Sequence, residues 1–126
     1  MPKVSLAFFS IAPIYVLIGM AGGIYMGASE DHTLAPAHAH LNLIGFMMMS
    51  VMGTFYALAG GQVSSKLAWA NFWVLNLALV IMIPMLAVVL LGNKSVIPIL
   101  GVSEILAVLA VLIFLTAIAQ VWRKKA

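Results

Sequence analysis

Residues 37–59 read AHAHLNLIGFMMMSVMGTFYALA. No Asp, Glu, Lys or Arg interrupts the stretch, and its polar side chains are two histidines, an asparagine, a serine, a threonine and a tyrosine. A bilayer hydrocarbon core of about 30 Å takes roughly 20 apolar residues of helix, so this segment is long enough to cross one. Working outward, three more stretches have the same character: residues 4–28, 67–91 and 96–122. Short polar clusters separate them, namely Ser29-Glu30-Asp31-His32-Thr33, Gly60-Gly61-Gln62-Val63-Ser64-Ser65-Lys66 and Gly92-Asn93-Lys94-Ser95. Connections this short predict sequential helices that pack antiparallel. The expected fold is an all-α membrane protein. A single domain, residues 1–126, forms four transmembrane helices in an up-and-down bundle.

Composition excludes the other classes. The chain is 65% hydrophobic and only 7% charged, against roughly 25% charged in an ordinary soluble domain. Six basic and three acidic side chains cannot cover the water-facing surface of a soluble protein of this size. The hydropathy excludes a disordered chain. The absence of cysteine excludes a disulfide scaffold. The net charge of +3 does not make a nucleic-acid binder, because the basic residues are few and Arg123-Lys124-Lys125 hold half of them at one end. The expected surroundings are lipid.

The charges give the bundle a direction. With four spans, Lys3, Lys66 and Arg123-Lys124-Lys125 fall on one side, and Glu30, Asp31 and Lys94 on the other. The positive-inside rule then places both termini in the cytoplasm. The expected location is the inner membrane of a bacterium, as a multi-pass protein. The alternative, that the first segment is a cleaved signal peptide, requires an apolar run of 7–15 residues, and this one is longer. Pro36 and Pro98 fit first helical turns. Pro13 and Pro84 stand inside spans, where a kink is expected.

Ionisable residues inside lipid are costly and ask for a partner or a task. The candidates are His38, His40 and Glu104. On a helical wheel of about 100° per residue, His38 shares a face with Asn42, Gly45, Met49, Gly53 and Tyr56. His40 points about 200° away, with Ile44, Met47, Val51 and Thr54. The first face, mixed small and polar, is expected to turn inward; the second suits lipid or another subunit. The two histidines therefore diverge and do not close on one small metal ion. In the first span Gly19, Gly23 and Gly27 form a small-residue stripe with Gly22 beside it. It admits either a close helix or a flat cofactor at the depth of His38. Glu104 is the one carboxylate deep in a span, fit for proton relay or for a structural hydrogen bond. Asn71, Asn76 and Gln120 are expected to bond between helices. Tyr15, Tyr25 and Tyr56, with Trp69, Trp73 and Trp122, are expected in an interfacial aromatic belt. Met47, Met48, Met49 and Met52 read as adaptable packing.

The run Ala37-His38-Ala39-His40-Leu41-Asn42-Leu43-Ile44-Gly45-Phe46, with Gly53 and Tyr56 further on, resembles the second helix of subunit I of the haem-copper oxidases. That superfamily includes cytochrome oxidases and nitric-oxide reductases. The run is also similar to small subunit-I-like membrane proteins and to haem proteins of nitric-oxide response that carry a His-Ala-His stretch. The resemblance implies a haem b near the outer face, with an early histidine of the second helix as axial ligand. The Ala-His-Ala context and the distance to Gly53 select His38; the string His-Leu-Asn selects His40. The wheel favours His38. Asn42, Gly45 and Gly23 are the expected surroundings of the haem. The resemblance covers about thirty residues well, and the later histidines that complete an oxidase centre are missing. One chain therefore cannot build an oxygen- or nitric-oxide-reducing centre. A second axial ligand would come from His40, His32, a methionine or a histidine of another subunit, for which a homo-oligomer or a larger membrane complex is the expected setting.

The expected function is electron transfer, or binding of a diatomic gas, by a membrane haem b protein with an unknown redox partner. Two alternatives stand beside it: copper binding through His32, His38, His40 and nearby methionines, and a non-catalytic accessory subunit of a respiratory complex.

Overall fold

The computed structural model describes residues 1–126 and contains helices and turns without a strand. Four helices are long and apolar enough to cross a membrane: α1 (Lys3–Ser29), α2 (Ala35–Gln62), α3 (Ser65–Leu90) and α4 (Lys94–Lys125). They form the up-and-down bundle expected, and the chain is a multi-pass membrane protein. Lys3, Lys66 and Arg123-Lys124-Lys125 collect at the end that carries both termini; Glu30, Asp31 and Lys94 lie at the opposite, acidic-loop end.

Local chemistry sets the helix ends. α1 stops where Glu30 turns left-handed at φ 57°. The Asp31 carboxylate then accepts the Thr33 backbone N–H at 3.0 Å and the Thr33 hydroxyl at 2.5 Å. These bonds hold its carboxyl below the usual aspartate range. Pro36 sits in the first turn of α2, where a missing N–H costs nothing. Before α4, Gly92 adopts φ 108°, and the Asn93 side chain accepts the Ser95 N–H at 3.0 Å and hydroxyl at 2.6 Å. Gly60, at φ 57°, ends the regular part of α2.

α2 is not a uniform helix. It is α-helical over Ala35–Asn42, π-helical over Leu43–Met48 and α-helical again over Met49–Ala59. Across its first half the buried residues are Ala37, Leu41, Gly45 and Met49, each four apart. That ridge makes about three turns, whereas an ideal α-helix would make about 3.3 over the same residues. Wider π turns account for the difference. The ridge therefore passes beside His38 and Asn42, which lie half-buried on its flank instead of at the centre of the inward face.

The core is densest toward the termini end. Phe8 of α1 stacks on Tyr56 of α2 with ring centroids 5.6 Å apart and meets Phe72 of α3 edge-on at 5.1 Å. Met49, Met52, Leu75 and Leu79 are buried around them. α4 packs on α3 through Ser103, Ala110 and Ala117, a buried small-residue row at heptad spacing. Polar side chains tie the helices. Asn71, 0% exposed, accepts the Tyr56 hydroxyl at 2.8 Å and donates to the Ala110 carbonyl at 2.8 Å. Asn76 accepts the Tyr15 hydroxyl at 2.6 Å, and Gln120 accepts the Ser64 N–H at 2.9 Å. Asn71 and Asn76 bond between helices as expected, whereas Gln120 ties α4 to the Ser64 backbone in the loop before α3. Tyr15 and Tyr56 depart from the expected belt: their hydroxyls are spent inside the bundle. Trp73, Trp122 and Tyr25 do face outward.

Candidate functional site

The site lies at the acidic-loop end, where the start of α2 meets the second half of α1. Both helices carry the matching spacing: Gly19 and Gly23 on one, His38 and Asn42 on the other. Residues four apart share a helix face, so two side chains of α2 face two gaps in α1. A Cβ on Gly23 would stand 3.1 Å from His38 Cε1, and one on Gly22 would stand 3.8 Å from His38 Nδ1. A Cβ on Gly19 would stand only 1.7 Å from Asn42 Oδ1. Gly19 is therefore the seat of the Asn42 amide, and Gly23 that of the His38 ring. Gly27 has nothing within 4 Å of such a Cβ and takes no part.

Asn42 Nδ2 lies 3.3 Å from His38 Nε2, one turn away. The contact closes in either of two ways: the amide N–H donates to Nε2 and the ring proton sits on Nδ1, or, with the amide atoms exchanged, Nε2–H donates to the amide oxygen and Nδ1 keeps its lone pair. That Nδ1 is buried and has no hydrogen-bond partner; Asn42 Oδ1 is buried and unpartnered as well. Exchanging the amide atoms of Asn42 moves the deficit without removing it. Two unpaired polar atoms thus lie side by side in an apolar seam, where each costs about 1–3 kcal/mol.

A cavity of about 200 Å³ adjoins them, open on one flank. Its walls include Ile18 and Gly22 of α1, Ala37, His38 and Leu41 of α2, and Ile83 of α3. Ligand sites for flat organic molecules usually run from about 300 Å³ upward. An enclosed macrocycle does not fit this space, which opens toward the exposed Ile18 and Tyr25. The donor set is a single imidazole beside an amide, not a cluster that would enclose a metal ion. A larger cavity of about 340 Å³ lies at the other end, around Pro2, Tyr56, Gly61 and Trp69, and contains no histidine or carboxylate.

The remaining candidates do not join this site. His40 is exposed on another face, and its Nδ1 donates to the Pro36 carbonyl at 2.7 Å. His32 is exposed in the first loop. No three His, Cys, Asp or Glu side chains gather as they would around a metal ion. Gly45 faces α1 elsewhere: a Cβ there would stand 2.9 Å from Tyr15 Cβ. Glu104 is exposed on α4. Sequence reasoning missed the seating of Asn42 in Gly19, although the paired four-residue spacings were the available signal. It also missed the π segment, for which the apolar run Phe46-Met47-Met48 gave none. Compared with known proteins, the chain matches no protein family, no curated protein and no solved structure.

Proposed function

We propose that this protein is a membrane haem b protein whose axial ligand is His38, acting in one-electron transfer or in binding a diatomic gas. One observation carries the reading. The His38 ring is fixed between helices in an apolar seam with a buried nitrogen that nothing in the chain satisfies. A functional group that balances such an orphan is the usual reason for one to persist. Gly22, Gly23 and Asn42 would orient the ring, and Ile18, Leu41 and Ile83 would exclude water from the bound edge. Bound haem would supply a redox-active iron able to carry one electron or hold a diatomic gas. The chain's own part would be to hold the imidazole, to accept Nε2–H on the Asn42 amide oxygen so that the Nδ1 lone pair stays free, and to keep the surroundings apolar. The segregation of basic residues to the termini end supports an orientation with both termini in the cytoplasm of a bacterial inner membrane. The site would then lie near the outer face. Copper is the weaker reading, because His32 and His40 do not converge with His38.

The test is haem content. The protein is purified in mild detergent from cells supplied with ample haem precursor. About one haem per one or two chains supports the reading; a colourless, folded protein overturns it.

A further inference from the structure

On the other side of α2, two ionisable side chains are left facing out of an apolar span. The groove between α2 and α4 is open, about 270 Å³, and lined only by Ile44 and Met48 of α2 and Ala107, Val108, Val111 and Leu112 of α4. The groove sets Ile44–Met48 beside Ala107–Leu112. One turn nearer the acidic-loop end, α2 carries His40, four before Ile44, and α4 carries Glu104, four before Val108. Both are exposed. The His40 ring spends Nδ1 on the Pro36 carbonyl, which leaves Nε2 without a partner in the chain. The hydrogen bonds of α4 side chains come from Ser95, Ser103, Thr116, Gln120 and Lys124, and none from Glu104. Acidic and basic side chains within membrane spans face protein or water and pair with one another. A lone chain in lipid leaves both unpaired.

We propose that the α2–α4 groove is the interface of a homodimer, closed by two reciprocal His40–Glu104 contacts. A two-fold axis along the membrane normal sets groove against groove and makes each contact occur twice. It also requires paired residues to lie at similar depth, and His40 and Glu104 each stand about one turn beyond the groove on its acidic-loop side. α2 and α4 run in the same direction, so about such an axis each α2 neighbours the partner's α4, and the apolar groove residues fill the centre below the polar pair. The chemistry is complementary in either protonation state: a neutral carboxyl donates to Nε2, and a carboxylate accepts from a protonated ring. This interface is on a different face from His38 and holds whether or not haem binds.

The chain has no cysteine, so Ala126→Cys gives a single labelling point at the termini end. Donor- and acceptor-labelled protein, mixed in phosphatidylcholine vesicles, is followed by energy transfer as lipid is added. Transfer that persists at high dilution, weakens at least about tenfold in apparent affinity in Glu104→Leu and in His40→Leu, and returns in the exchanged His40→Glu/Glu104→His variant is the expected result. Far-UV circular dichroism checks that each variant is folded. Wild-type transfer that vanishes on dilution overturns the proposal, as does equal affinity in Glu104→Leu. Failure of a folded exchange variant to recover also overturns it. So does a Glu104-dependent complex with a different chain in native membranes without self-transfer.

Discussion

At the scale of single residues, the glycines of α1 are not interchangeable. Gly19 receives the Asn42 amide, whereas Gly27 faces open space. Gly19→Ala forces Asn42 out of its seat and is expected to destabilise the bundle by about 1–3 kcal/mol. Gly27→Ala is expected to be neutral or mildly stabilising, since alanine favours helix over glycine by about 1 kcal/mol. Thermal unfolding of the two variants in one detergent compares them, and equal melting temperatures would contradict the seating. Asp31 offers a second check at this scale. Its carboxyl is held low by the Thr33 hydroxyl and N–H, so its contribution is complete above the unfolded aspartate value of about 4. That contribution is lost as pH falls through the lowered folded value. Thr33→Val removes the hydroxyl bond and is expected to move the Asp31 titration, followed by NMR, upward. The role of Asn71 shows what sequence could not reveal. An asparagine in an apolar span predicts an interhelical bond, but nothing in the sequence names Tyr56 and the Ala110 carbonyl as its partners.

At the scale of elements, all four helices were legible, because each is an apolar run bounded by glycine, proline or charge. Lys3–Ser29 and Ser65–Leu90 differ from the expected spans 4–28 and 67–91 by one or two residues. The face of α2 was legible in part. A wheel at constant pitch turned His38 inward and His40 outward, as the structure does, but centred the inward face on His38. The π turns shift that centre to Ala37, Leu41 and Gly45. Hydropathy could not signal this, since the π residues Leu43–Met48 carry no polar side chain whose placement would betray a change of pitch. Deleting the exposed Met47 removes the extra residue of the wide turns: eleven α-helical steps of about 100° make about three turns, as twelve do now, so His38 and Asn42 keep their faces relative to Met49–Tyr56. The expected outcome is unchanged helicity by far-UV circular dichroism and a melting temperature near that of the wild type, because Asn42 keeps its seat in Gly19. A large fall in melting temperature would show that the wide turns do not set the register of the seam. The outward position of Glu104 was not legible either: α4 is apolar all round, and only the spacing of Ser103, Ala110 and Ala117 marks its buried side.

At the scale of the molecule, the bundle has two differently built ends. The termini end holds the aromatic core and the basic residues; the acidic-loop end holds glycines, the histidines and the cavity beside His38. Single cysteines introduced into the cysteine-free chain test the orientation proposed from this asymmetry. In intact bacterial cells, Lys94→Cys should react with a membrane-impermeant maleimide and Ala126→Cys should not; the reverse pattern would place the site on the cytoplasmic face. Buried residues are few, 27 of 126, and the helices present long apolar flanks that suit a lipid surrounding. The central claim rests on one ring. Absorption spectra of wild type, His38→Ala and His40→Ala, purified side by side from haem-replete cells, test it most directly. The expected result is a Soret band that is lost in His38→Ala and kept in His40→Ala. A band that survives in His38→Ala, or that disappears only in His40→Ala, would contradict it.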